Sequence, residues 1–241
     1  MNWIQEQGLW LVRRGLRGIG LEIVKSPTVI DFLQFHRVDL VLDVGANIGQ
    51  FAKRIQAAGY KGEIISFEPI MAVFRKLEAQ AQKYPGWKTI HSAVGAAVGE
   101  ASIHVTANTV YSSIRKQSEL AAEFDAGTRV VTVENVKVVC LNEAVDNYSR
   151  RRIFLKIDTQ GFEKEVLAGA DKLLEHCIGL QLEIPVEHLY EGVWSFREAL
   201  EYLEALYFYP SQIWPVNSLG TDPSSIIEFD CIFRRSRVCG H

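Results

Sequence analysis

The chain has 241 residues, a mass of 27.2 kDa, a formal net charge of −3 and a pI near 6.1. Hydrophobic residues at 48% and charged residues at 23% are globular proportions, enough for one sizeable core, and they exclude a disordered or low-complexity polymer. The mild acidity supplies no basic field, so no nucleic-acid partner is expected, and Cys140, Cys177, Cys231 and Cys239 lack the CxxC spacing of a zinc ribbon or thioredoxin-like centre, which suits reduced thiols in a cytoplasmic protein.

The N-terminal stretch MNWIQEQGLWLVRRGLRGIGLEIVKS lacks a cationic start followed by a long apolar run, so it reads as neither a secretory signal nor a spanning helix. Trp3, Ile4, Trp10, Leu11 and Leu16 recur near helical spacing, with Arg13, Arg14 and Arg17 close by. Such a helix docks on its own domain in the simpler reading, and in the other makes peripheral membrane contact through residues 1–25. Residues 1–37 are read as an N-terminal helical extension and 38–241 as the main domain.

From Val38 strands and helices alternate. DLVLDV and GEIISFEP read as short strands buried on both faces, with a helix from Ile48 to Ala58 between them. A helix from about Val73 to Lys83 follows, and WKTIHSAVG reads as a third strand. Strand-helix units in series imply a right-handed parallel sheet. Between about Gly99 and Arg152, ASIHVTA and RVVTVENVKVVC alternate in the strand manner around the polar segment NTVYSSIRKQ, which gives a β-rich insertion over the end of the sheet. RRIFLKIDTQGFE and CIGLQLEIP restore the parallel rhythm as fourth and fifth strands. YFYPSQIW and SSIIEFDCIFRR, joined without a helix, read as an antiparallel pair closing one edge.

Ligands of open parallel sheets bind beyond the carboxyl ends of the strands. The turn after the first strand, Asp43-Val44-Gly45-Ala46-Asn47-Ile48-Gly49, has Gly45 and Gly49 to permit unusual backbone and close approach, and a helix N-terminus to receive an anion. Its GxNxG pattern departs from the GxGxxG of dinucleotide sites, and the chain contains no GxxxxGK[ST] phosphate loop. Glu68, at the end of the second strand, is placed to accept both hydroxyls of a ribose. Adenosine, a free amino-acid end and no phosphate suit this set, so S-adenosylmethionine is the expected cofactor, with Asp43 attracting its ammonium.

These segments resemble the FkbM family of S-adenosylmethionine-dependent methyltransferases. The resemblance rests on the ordered series DVGANIGQF, SFEP, SAVG, SSI, LKIDTQGFEKEVLAGA and LEIP, from about Val41 to Pro185. It implies a class I methyltransferase (Rossmann-like) α/β fold, a mostly parallel seven-stranded sheet with an antiparallel last strand, and O-methylation of a sugar, glycoconjugate or secondary metabolite. Carried over by position, Asp43, Gly45, Asn47 and Gly49 line the methionine end of the cofactor, Glu68 and Pro69 the ribose side, and Ser92, Ala93 and Val94 the adenine side. The family often has Leu-Asp before the fourth strand and Asp-Val-Glu-Gly after it; this chain has Leu141-Asn142 and Asp158-Thr159-Gln160-Gly161.

Methyl transfer to a hydroxyl requires alignment, exclusion of water and a proton acceptor. Asp158, ending the fourth strand, is the leading catalytic candidate; helix capping is its structural alternative. Glu183 ends the apolar fifth strand, where a carboxylate needs a partner or a cleft. His188, in the following loop with Tyr190 and Glu191, is an alternate base. Ser113, with Ser112, Tyr111 and Asn108, offers short donors and acceptors for acceptor hydroxyls or the cofactor carboxylate. No compact metal-ligand motif is present, so no metal is assigned. A small-molecule or glycan hydroxyl acceptor is the expected partner; the alternatives are a nucleotide-dependent oxidoreductase on a similar sheet and a catalytically silent cofactor-binding module.

Overall fold

A computed structural model describes residues 27–219, 222 and 224–236. The amphipathic stretch and the membrane contact expected of residues 1–25 lie outside them. The remainder of the expected extension is part of the core: Thr28 and Asp31 form a capping box that starts the helix Val29–Phe35. That helix buries Phe32 and Leu33, with the Phe32 ring 5.4 Å from that of Phe154.

The strands are β1 Leu40–Val44, β2 Glu63–Phe67, β3 Trp87–Ile90, β4 Ala93–Val94, β5 Gly99–Thr106, β6 Val130–Val139, β7 Ile153–Ile157, β8 Cys177–Pro185, β9 Phe208–Asn217 and β10 Glu228–Arg235. Seven of them form one sheet in the order β3-β2-β1-β7-β8-β10-β9. Its pairings are parallel from β3 to β8, and β10 runs antiparallel to both β8 and β9. This is the class I methyltransferase arrangement expected from the motif series, with the antiparallel edge pair where the helix-free connection put it.

All residues of β1 and β7 are buried, which is why both read as continuous apolar runs. Alternate residues serve opposite faces. Leu40, Leu42 and Leu155 pack with Leu167, Leu174 and Leu203 on one side, while Val41 and Phe154 pack with Phe32, Ile55 and Leu77 on the other. Helices Gln50–Ala57 and Met71–Ala81 cover the second face, and Phe196–Ala205 the first.

WKTIHSAVG is not a single strand. β3 ends at Ile90, the chain turns at His91-Ser92, and Ala93–Val94 joins a second, three-stranded sheet in the order β4-β6-β5. His91 fixes the turn with a 2.9 Å hydrogen bond between its Nε2 and the carbonyl of Pro69. The β-rich insertion therefore draws its first strand from before Gly99. It closes over the carboxyl end of the main sheet through Ser113, whose hydroxyl donates to the carbonyl of Gln160 at 2.6 Å, and through Tyr190, whose hydroxyl oxygen lies 3.1 Å from the carbonyl of Tyr111.

Candidate functional site

Register partners in a sheet share a face. Ser66 on β2 pairs with Asp43 on β1, Asp43 with Lys156 on β7, and Lys156 with Gln181 on β8. A row of polar side chains thus crosses four parallel strands in a face that is otherwise apolar. Two residues further along β7 and β8, on the same face, stand Asp158 and Glu183, and Glu183 pairs with Asp230 on β10. Buried polar groups are tolerated when they satisfy one another. The Trp87 indole N–H donates to Ser66 Oγ at 2.9 Å, and Ser66 donates to Asp43 Oδ2 at 3.2 Å.

Lys156 is the centre of this arrangement. Its ammonium lies 3.4 Å from Asp43 Oδ1 and 3.2 Å from Asp158 Oδ2, and donates to the carbonyl of Gly45 at 3.3 Å. Burial works to lower its pKa, but the carboxylates of Asp158 and Asp43 outweigh burial and hold it above the ordinary lysine range. Sequence reading passed over Lys156 as one residue of a motif. The available signal was a lysine at a strand position whose neighbours are all apolar.

An open cavity of about 350 Å³ lies between the strand ends, the first turn and the insertion. The structure brings Gly45, Asn47, Glu68, Pro69, Ser92, Ala93, Val94, Ser113, Asp158 and Glu183 to its walls. It does not bring His188 there: that residue is exposed, on a separate depression beside Glu187 and Ser118, because the chain leaves the sheet after Pro185. Nor does Asp43 line the cavity; fully buried, it lies with Lys156 and is not in position to meet a ligand ammonium directly.

The glycines have reasons other than ligand approach. Gly45 has φ of 72°, and a Cβ there would stand 1.8 Å from the carbonyl oxygen of Asp158, so the close passage of β1 and β7 demands it. Gly49, at φ of 83°, packs under the Trp87 ring, 2.6 Å from where its Cβ would be, and does not line the cavity. Asn47 also has positive φ, at 47°, a conformation asparagine tolerates well. Its backbone N–H donates to Glu68 Oε2 at 3.0 Å, while Ile70 N–H donates to Glu68 Oε1 at 2.9 Å. Burial outweighs these bonds and raises the Glu68 pKa to about 7.

Beyond β7 the turn is equally constrained. Gln160 and Gly161 have φ of 56° and 96°. Glu163 holds them by accepting, on Oε1, from Thr159 N–H, Thr159 Oγ1 and Gly161 N–H at 3.0 to 3.1 Å. Gln160 Nε2 donates to Asp158 Oδ1 and to Glu183 Oε2, both at 3.0 Å, and its Oε1 accepts from Tyr190 at 2.7 Å. Burial, then the nearby charges of Asp158 and Glu228, push the Glu183 carboxyl well above the usual carboxylate range. Ser113 lines the cavity with its hydroxyl committed to Gln160 and to Arg115 N–H, the latter at 2.9 Å. Asn142 pairs with Asp171 and Leu173 and is not among the cavity-lining residues.

Two outcomes follow for the ligand-free protein. Lys156→Met leaves Asp43 buried without its cation and should cost about 3–5 kcal/mol in urea denaturation; Asp43→Asn combined with it should recover most of that loss, and simple additivity would contradict the pairing. Glu68 binds its proton more tightly when folded, at about 7 against 4.5, so its contribution falls as pH rises through that window, by roughly 3 kcal/mol. Wild type should therefore lose more stability between pH 4.5 and pH 7 than Glu68→Gln; equal pH slopes would contradict the burial effect.

The profile of the methyltransferase FkbM domain matches residues 43–209. The AMB antimetabolite synthetase AmbE of Pseudomonas aeruginosa PAO1 is 27% identical over 161 residues, 55% of this chain and 8% of that protein. Methyltransferase FkbM from Methylobacillus flagellatus KT aligns with TM-score 0.48 and 16% identity, over 82% of this chain and 43% of that one. Magnesium protoporphyrin IX methyltransferase ChlM from Synechocystis PCC 6803, solved with bound SAM, aligns with TM-score 0.48 and 11% identity, over 98% and 85%. The chain thus spans less than half the length of the synthetase and of the Methylobacillus protein. With the family profile covering most of its length, and the strand order and first turn in place, the chain belongs to the FkbM family of S-adenosylmethionine-dependent methyltransferases.

Proposed function

We propose that the chain transfers a methyl group from S-adenosylmethionine to a hydroxyl of a small acceptor, a sugar, glycoconjugate or secondary metabolite. The donor set fits the cofactor. Each oxygen of Glu68 accepts one backbone N–H and keeps a lone pair for a ribose hydroxyl. Ser92 Oγ is buried on the wall with no partner among the described residues, and Ile70, Ala93, Val94 and Ile103 supply apolar surface for a base. When bound, S-adenosylmethionine supplies a methyl on a sulfonium for in-line displacement.

The observation that carries the O-directed reading is the pair Asp158 and Glu183, joined by the Gln160 amide at 3.0 Å on each side. Glu183, with its raised proton affinity, takes the proton from the acceptor hydroxyl. Asp158, fixed by Lys156 and Gln160, orients that hydroxyl. A general base works best with a pKa near the working pH, and burial moves Glu183 in that direction. The insertion, tied down through Ser113 and Tyr190, covers part of the strand ends.

S-adenosylhomocysteine at 100 times its dissociation constant adds about 2.7 kcal/mol of stability, a rise in Tm of roughly 5–10 °C for a domain this size, and Glu68→Ala should abolish the rise. Glu183→Gln should keep that rise yet lower methyl transfer to hydroxylated acceptors by about 10²- to 10⁴-fold. Wild-type kcat/KM should fall toward acid through a pKa above the ordinary carboxylate range, since the base works only when ionised. Absence of any shift would contradict the cofactor site; unchanged transfer by Glu183→Gln would contradict the base, and binding without transfer to any acceptor would leave a silent cofactor-binding module.

A further inference from the structure

The far end of the same cavity, along β8 and β10, has chemistry that the cofactor does not use. β10 is three strands from β1, roughly 14 Å at the usual strand spacing, beyond the first turn and Glu68. Gln181, Glu183 and Asp230 line the cavity there. Gln181 Nε2 donates to both oxygens of Asp230, at 2.9 and 2.8 Å. Those bonds fix the amide, because a flipped side chain would set its oxygen against the carboxylate. Gln181 is only 6% exposed, and its Oε1 is left as a buried acceptor without a partner among the described residues. A buried acceptor in that state carries an uncompensated desolvation cost, a deficit that a ligand donor removes.

Charge points the same way. The cavity walls carry Glu68, Asp158, Glu183 and Asp230 against Lys156 and Arg54. The charge of Lys156 is already engaged by Asp43 and Asp158, and neither cation forms an ion pair with Asp230 among the described residues. A phosphate or carboxylate on the acceptor would face Asp158 and Asp230 with like charge, whereas an ammonium would find the carboxylate of Asp230 and the vacant lone pairs of Gln181 Oε1. Glu183 is the register partner of Asp230, which puts their Cβ atoms about 5 Å apart. The proton acceptor for the hydroxyl and the counter-ion for the amine therefore stand side by side.

Resting on the methyltransferase reading above, we propose that this end of the cavity is the acceptor subsite, and that it selects an acceptor carrying an amine a few bonds from the hydroxyl that is methylated, an amino sugar or amino alcohol without an anionic group. Asp230 and Gln181 hold the ammonium while Glu183 meets the hydroxyl.

The test is calorimetric titration of the full chain, saturated with S-adenosylhomocysteine, with glucosamine, glucose, N-acetylglucosamine and glucose 6-phosphate. Glucosamine should bind at least about tenfold tighter than glucose or its N-acetyl derivative, with the phosphate weakest. Asp230→Asn and, separately, Gln181→Met should erase or shrink that advantage without changing the affinity for S-adenosylhomocysteine. No amine advantage in wild type, including no binding by any of the four, would overturn the proposal, as would an advantage that persists in Asp230→Asn. The wild-type comparison needs no variant to fold. Failure of S-adenosylhomocysteine itself to bind would instead sink the cofactor reading, so the two failures are separable.

Discussion

Lys156 carries its ammonium into the middle of a parallel sheet, between Asp43 at 3.4 Å, Asp158 at 3.2 Å and the carbonyl of Gly45 at 3.3 Å. An ammonium there costs several kcal/mol in lost hydration unless partners compensate; it donates to the Gly45 carbonyl and to Asp158, and Asp43 completes the set as an ion pair. That match constrains its surroundings. Asp43 is held beneath the cavity beside this cation, with Ser66, itself bonded by Trp87, donating to it, while burial outweighs Lys156 and raises the proton affinity of its carboxyl. Asp158 is aimed at the cavity and does not cap the next helix, whose N-cap Phe162 makes no side-chain hydrogen bond; Glu163 instead ties the preceding turn through Thr159 and Gly161. The ends of β1 and β7 are drawn so close that Gly45 has no room for a side chain.

Gln160 extends this order to the fifth strand. Where the related family often has glutamate, this chain has an amide that donates to Asp158 and Glu183 together and accepts from Tyr190. A carboxylate in its place would repel both neighbours instead of bridging them. The same turn also receives the Ser113 hydroxyl from the insertion. One strained turn, with two consecutive residues at positive φ, therefore joins the sheet, the carboxylates of Asp158 and Glu183 and the insertion.

Much of this was legible in the chain. DLVLDV and RRIFLKI read as strands because both faces are covered, and the edge pair followed from a connection without a helix. Glu68, Asp158 and Glu183 stood out as acids ending apolar strands. Other features depend on contacts distant in sequence. The turn at His91-Ser92 is fixed by Pro69, on another strand end, so WKTIHSAVG looked continuous. Gly49 owes its identity to Trp87 and Gly45 to Asp158, neither of which local spacing reveals. His188 is an alternate base by its chemistry alone, and the path of the chain after Pro185 carries it to the surface. Lys156, Gln181 and Asp230 left a fainter trace, polar residues at alternate positions of buried strands, whose meaning emerges once register sets them side by side.

The most direct measurement is a crystal structure of the chain with S-adenosylhomocysteine. The expected result places the ribose diol on Glu68, the base against Ser92, Ala93 and Val94, and the thioether facing the wall formed by Asp158 and Glu183, with Lys156 still bridging Asp43 and Asp158. A ligand bound elsewhere, or one that turns its sulfur away from those carboxylates, would contradict the assignment of this polar sheet face as the methyl-transfer site.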